Sequence, residues 1–179
     1  MDQAVTATNF PACLAFTLAE EGGWSDDPDD PGGCTNQGIT LVTYRLFHDP
    51  DATPETLRAM TDAERDLIYR EGYWDAVAGD NLPAGLDLMT FDFGVNAGPV
   101  RSVARLQIIV GTEPDGVIGP LTLKAITGIQ IGGIIDQFFA SQRSYYTGLA
   151  GFPTFGKGWL ARCERRVALA RQMAGEPDP

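Results

Sequence analysis

The chain predicts a mainly α fold with one minimal β hairpin. Apolar residues recur at helical spacing through most of its 179 residues, proline and small polar residues stand where helices would begin, and period-two alternation is nearly absent. The element order follows from these signals. Residues 9–21, NFPACLAFTLAEE, open with Asn9 as N-cap and Pro11 in the first turn, and Gly22-Gly23 stops the helix. The stretch around TNQGIT predicts the hairpin. A helix near 41–48 follows, then one from Pro54 capped by Thr53. TDAERDLIYREGYW begins with a capping box, Thr61 with Glu64 three residues on, and ends at Gly72. Leu86, Met89 and Phe93 mark a helix leading to GVNAGP, and Pro99 restarts the chain into VRSVARLQIIVG. TEPDGVIGP is a double turn, Pro120 opens a short helix, and two longer helices cover 132–148 and 157–173.

Composition narrows the function. At 44% hydrophobic the chain buries one good core. No apolar run approaches the roughly 18 to 20 residues of a membrane span, and MDQAVTATNF lacks the basic and apolar regions of a secretory signal, so synthesis in the cytoplasm without stable membrane insertion is expected. Residues 1–92 carry 18 acids against 4 bases, whereas residues 93–179 carry 6 against 9. So acidic a first half argues against nucleic acid as the main ligand. Lys157, Arg162, Arg165, Arg166 and Arg171 gather on the final helix, read as a solvated face or as a dock for an anionic polymer or lipid surface. Cys13, Cys34 and Cys163 form no CxxC pair and are read as reduced small hydrophobes. His48, the one histidine, is read as a surface or capping residue, which leaves little support for Ser-His or zinc chemistry.

The segment AEEGGWSDDPDDPGGCTNQGIT, 19–40, holds six carboxylates and raises the question of chemistry. At about 100° per residue, Glu21 falls within the apolar arc of Phe10, Cys13, Leu14 and Leu18. A carboxyl there is partly desolvated and meets the negative end of the helix dipole; both favour the protonated form that a general acid needs. Asp30 follows on a turn built by Pro28, Pro31 and Gly32-Gly33, and Thr35 lies beyond it. A protonated acid facing an ionised base that holds water is the arrangement of inverting glycoside hydrolysis. Two alternatives stand beside it: a solvated acidic connector, and an irregular calcium loop. The EF-hand form fails because the twelfth positions from Asp26 and Asp27 are Gln37 and Gly38.

The block EGGWSDDPDDPGGCTNQGIT, continued by GYWDAVAGDNLPAGLDLMTFDFGVNAGP, resembles glycoside hydrolase family 108, N-acetylmuramidases often found as phage or prophage endolysins. The resemblance implies a lysozyme-like fold, peptidoglycan as substrate and no metal or cofactor. By it, Glu21 is the catalytic acid, and Asp30 and Thr35 complete a Glu-Asp-Thr set. Phage-type lysozymes place five residues between the last two, whereas this chain has four, which admits Asn36 to the place of Thr35. RLQIIVGTEPDGVIGPLTLKAI resembles a peptidoglycan-binding motif through Gln107, Gly111, Asp115-Gly116, Gly119 and Thr122. The expected organisation is a catalytic lobe, 1–92, with a helical wall-binding-like lobe, 93–179, packed on it. Trp24, Tyr73, Trp74 and Asn96 are candidate sugar contacts, although core packing for Trp74 and a helix cap for Asn96 explain them as well. Cleavage of the MurNAc–GlcNAc β-1,4 bond by a monomer released through a holin-type pore is the leading expectation. A lytic transglycosylase and a non-catalytic wall-binding protein are the alternatives.

Overall fold

A computed structural model describes residues 8–26 and 33–176. Among these the chain forms α1 (Phe10–Glu20), β1 (Thr35–Asn36), β2 (Ile39–Thr40), α2 (Leu41–Phe47), α3 (Pro54–Arg58), α4 (Asp62–Tyr69), α5 (Leu86–Ala97), α6 (Pro99–Val110), α7 (Pro120–Thr127), α8 (Ile131–Thr147) and α9 (Phe152–Met173). The fold is mainly α and lysozyme-like, and its only sheet among the described residues is the antiparallel pair β1–β2, with Thr35 opposite Thr40. No helix among these residues is long and apolar enough to cross a membrane.

Most helix starts obey local chemistry. Thr40, Thr53 and Thr61 each accept a bond from the backbone N–H three residues on, and Thr53–Thr56 and Thr61–Glu64 close reciprocal boxes. Pro54, Pro99 and Pro120 open helices, where the absent N–H leaves no bond unmade.

Three departures have physical reasons. Asn9 does not cap α1; its Nδ2 donates to Asp87 Oδ2 at 2.8 Å, and that bond to a distant carboxylate orients the side chain in place of a cap. The segment after Thr61 does not stop at Gly72 but continues as a π-helical turn, Arg70–Trp74. Gly72 is there for packing, since a Cβ would stand 3.1 Å from the Phe47 ring. Helix α9 begins at Phe152, five residues before the expected 157, with Pro153 in its first turn and Gly156 and Gly158 absorbed inside.

Helix α5 is the centre of the molecule. Its sequence, LDLMTFDFGVNA, is apolar on every side, and all residues from Leu86 to Gly94 are buried. Phe91 meets Trp74, Phe10 and Tyr69 edge to face, while Phe93 meets Phe138, Tyr145 and Tyr146 likewise. The point between residues 92 and 93 therefore falls inside one helix that packs both ways. Gly85, at φ +87°, brings the start of α5 against α9, where any Cβ would strike the Ala170 carbonyl. Because Asp92 meets Arg162 and Arg166 further along, α5 and α9 run antiparallel.

Candidate active site

Helix α1 ends at Glu20, and Glu21 is its C-cap residue with extended backbone, φ −87° and ψ 150°. The helical-arc projection used above therefore does not set its direction. What aims Glu21 is the turn of the chain and the partners it meets. Its side chain is 20% exposed, and Oε1 accepts a hydrogen bond from Arg162 Nη1 at 2.8 Å. On the other flank stands the hairpin: a Cβ at Gly38 would lie 2.9 Å from Glu21 Cγ and within contact of the Tyr69 hydroxyl. Gly38 has φ +79°, and no other residue type fits a left-handed turn pressed so closely on two side chains.

The guanidinium of Arg162 is shared. Its Nη2 and Nε donate to Asp92 at 2.6 and 3.2 Å, so Arg162 bridges the carboxylates of α1 and α5. Asp92 is fully buried, and it also accepts from Arg166 Nη1 at 2.5 Å and Thr17 Oγ1 at 2.9 Å. Arg166, fully buried too, reaches Gln142 of α8 with its other nitrogen. Burial works to raise Asp92, but Arg166 first and Arg162 next hold it below the usual aspartate range. Asp92 and Arg166 are thus buried as a paired, hydrogen-bonded set, the condition for keeping charge inside a protein.

Two phenols complete this wall. Tyr69 donates to the Gln37 carbonyl at 2.9 Å and lies 5.7 Å from the Tyr73 ring. Burial chiefly, then the Glu21 charge, keeps the Tyr69 hydroxyl protonated. For Tyr73 burial again raises the phenol, Thr43 beside it works the other way, and Glu21 adds to the rise. Tyr73 stands beside Tyr69, the phenol that the hairpin presses upon.

Other anticipated residues scatter. Thr35 is half-buried on β1, its backbone exchanging two hydrogen bonds with Ser25 at 2.8 and 2.9 Å. Asn36 points the opposite way, buried, donating to the Leu57 and Arg58 carbonyls, so it is not free to replace Thr35. Asp30 lies outside the described residues. Trp24 is half-buried beneath the Arg58 guanidinium, 5.5 Å from its centroid. Trp74 is corrected as a sugar contact: it is fully buried against Phe10 and Phe91, and its indole N–H is spent on Asp80. Asn96 is exposed in the last turn of α5, donating to the Asp92 carbonyl; the left-handed cap is Gly98 instead. His48 pairs with Glu64 at 3.0 Å, and all three cysteines are buried and free.

The basic run on α9 also needs correction. Arg162, Arg165, Arg166 and Arg171 pair with Glu21 and Asp92, Glu20, Asp92 and Asp136. They face the protein's own acids, not an outside polymer. The signal was present as the adjacent pair Glu20-Glu21 at a helix end and arginines at i, i+3 and i+4, but nothing in periodicity says which acids meet which bases. Gln107 and Asp115 likewise serve the fold: Gln107 bonds Asp115, Gly116, Val117 and Thr122, tying α6 to the turn before α7.

A helix-end carboxyl held by an arginine, with the Tyr69 phenol and a tight hairpin beside it, sits on a lysozyme-like helical scaffold. The sequence profile described as glycosyl hydrolase 108 matches residues 14–98, which span Glu21, the hairpin and α5. Among solved structures the chain is similar to SagA of Brucella abortus, at 40% identity over 93% of this chain and 95% of that one, with a TM-score of 0.86. The chain belongs to the glycosyl hydrolase 108 family. A search of curated proteins found no match.

Proposed function

We propose that the protein is an N-acetylmuramidase that hydrolyses the β-1,4 bond from N-acetylmuramic acid to N-acetylglucosamine in peptidoglycan, with inversion. Glu21 gives its proton to the leaving oxygen. Water attacks the anomeric carbon from the opposite face, and Asp30, aided by Thr35, takes the proton that the water loses. The bond to the leaving sugar breaks as the bond to water forms, and the new end is a reducing sugar.

The observation that carries this reading is the setting of Glu21. Its carboxyl is mostly enclosed and oriented by Arg162 through Oε1. Among the described residues Arg162 donates to Oε1, which leaves Oε2 as the oxygen turned toward proton transfer in this proposal. Family membership supports peptidoglycan as the substrate. Both halves of the chain act as one catalytic unit in this proposal, because the acid comes from α1 and its orienting cation from α9.

Turbidity clearing of purified sacculi tests it, with Glu21→Gln and Asp30→Asn side by side. Loss of a general acid or base costs about 10²- to 10⁴-fold in rate. Mass spectrometry of the digest reads the chemistry: reducing ends are expected, and 1,6-anhydro ends would replace hydrolysis by transglycosylation. A Glu21→Gln protein that clears walls at the parent rate would end the proposal.

A further inference from the structure

We infer that the first two turns of α9 extend the cleft as an aromatic platform, with Phe155 and Trp159 stacking on a pyranose ring of the glycan strand. The inference rests on Glu21 marking the cleft. Among the large exposed hydrophobic side chains of the described residues Phe155, at 58% exposure, is the aromatic one. It lies in a strip: Phe155 and Trp159 have centroids 5.9 Å apart at 34°, and Trp159 and Tyr146 5.5 Å apart at 35°. Phe93, at the centre of the core, packs steeply on Phe138, Tyr145 and Tyr146 at 84 to 87°, whereas the strip starts from buried Tyr146 and runs out to exposed Phe155. The other shallow pair, Tyr69 and Tyr73 at 39°, belongs to the wall around Glu21.

A glycine leaves room for the strip. A Cβ at Gly151 would meet Trp159 Cη2 at 3.2 Å and Phe155 Cδ2 at 3.3 Å, so a larger residue would lift both rings. Position on the helix joins the strip to the chemistry. Residues 155, 159 and 162 stand at i, i+4 and i+7 on one face, and Arg162 is the residue that holds Glu21. Phe155 lies about 10 Å from Arg162 along the axis, so the platform begins about one turn away from the acid's partner and continues outward. Since α5 runs antiparallel, its last turn beyond Asp92 comes alongside this part of α9, with exposed Asn96 as the neighbouring polar edge.

The occupant that fits is an N-acetylated pyranose of a β-linked glycan. Its axial C–H groups cover an aromatic face while the rim of hydroxyl and amide groups meets polar side chains and water. Continuity with Arg162 and Glu21, in a chain of a glycoside hydrolase family, favours that occupant over a protein partner or a lipid surface.

The test uses the full chain carrying Glu21→Gln and titrates it with a soluble N-acetylglucosamine tetramer and with purified sacculi. Adding Phe155→Ala, or Trp159→Leu, is expected to weaken binding about three- to tenfold, the scale of one aromatic contact. Ile108→Ala on α6, a comparably exposed apolar site at 65%, leaves binding unchanged. Phe155→Ala is decisive because its ring is exposed, and an unaltered thermal midpoint separates lost contact from lost fold. Equal affinity of Phe155→Ala and its parent overturns the platform, as does an effect confined to self-association or to binding of phospholipid vesicles. Should Glu21→Gln alone still clear sacculi, the catalytic reading falls; weakened tetramer binding by Phe155→Ala would still uphold the platform.

Discussion

Asp92 shows how one carboxylate can set the acid limit of the whole fold. Its folded pKa lies below the ordinary value of 3.8, because two arginines outweigh its burial. A depressed carboxylate contributes stability that is present above the unfolded pKa and is lost as pH falls through the folded one. Thermal melts across acidic pH should therefore show the midpoint falling below about pH 4. Asp92→Asn should flatten that slope and cost about 3 to 5 kcal/mol near neutral pH, since Arg166 would remain buried without its counter-charge. An equal loss at all pH values in both proteins would show that the acid limit lies elsewhere. Asp87, on the same helix, moves the other way: burial raises it, despite bonds from Asn9 and from the Leu88 and Gly85 backbone. Two aspartates five residues apart thus differ by whether an arginine reaches them.

The hairpin β1–β2 is four residues of strand around a two-residue turn, and its effect comes from where that turn presses. Gly38→Ala adds a methyl against the Tyr69 hydroxyl and Glu21 at a positive φ. A destabilisation of about 1 to 3 kcal/mol by denaturant titration is expected, with a larger proportional loss of activity because the displaced group is the acid. A variant with normal activity would mean that the turn moves away freely. Most helix starts, α9 excepted, the hairpin and the Thr61–Glu64 box are legible in the sequence because each is written within a few residues. The π-helical turn at Arg70–Trp74 is not, since it depends on Gly72 meeting Phe47 from another helix and on Trp74 entering the core. Nor is the conduct of Asn9, whose partner Asp87 is 78 residues away. The same limit applies to the site: Glu21 is legible from local pattern and resemblance, whereas Arg162 has no sequence rule that links it to an acid 141 residues earlier.

At the scale of the molecule, helix α5 and the cluster beneath it make the two halves depend on each other. A fragment of residues 1–92 would end inside α5, keep Asp92 and Glu21, and lose the arginines that bond them, Arg162 and Arg166. It is expected to lack a cooperative melt by circular dichroism and to leave sacculi intact; a folded, active fragment would contradict the shared cluster. The timing of biosynthesis is affected as well. Glu21 is synthesised 141 residues before the guanidinium that orients it, so in a nascent polypeptide the carboxyl stays unaimed until translation has passed α9. If Glu21 is the acid as proposed, a copy lacking α9 carries that carboxyl without the guanidinium that orients it.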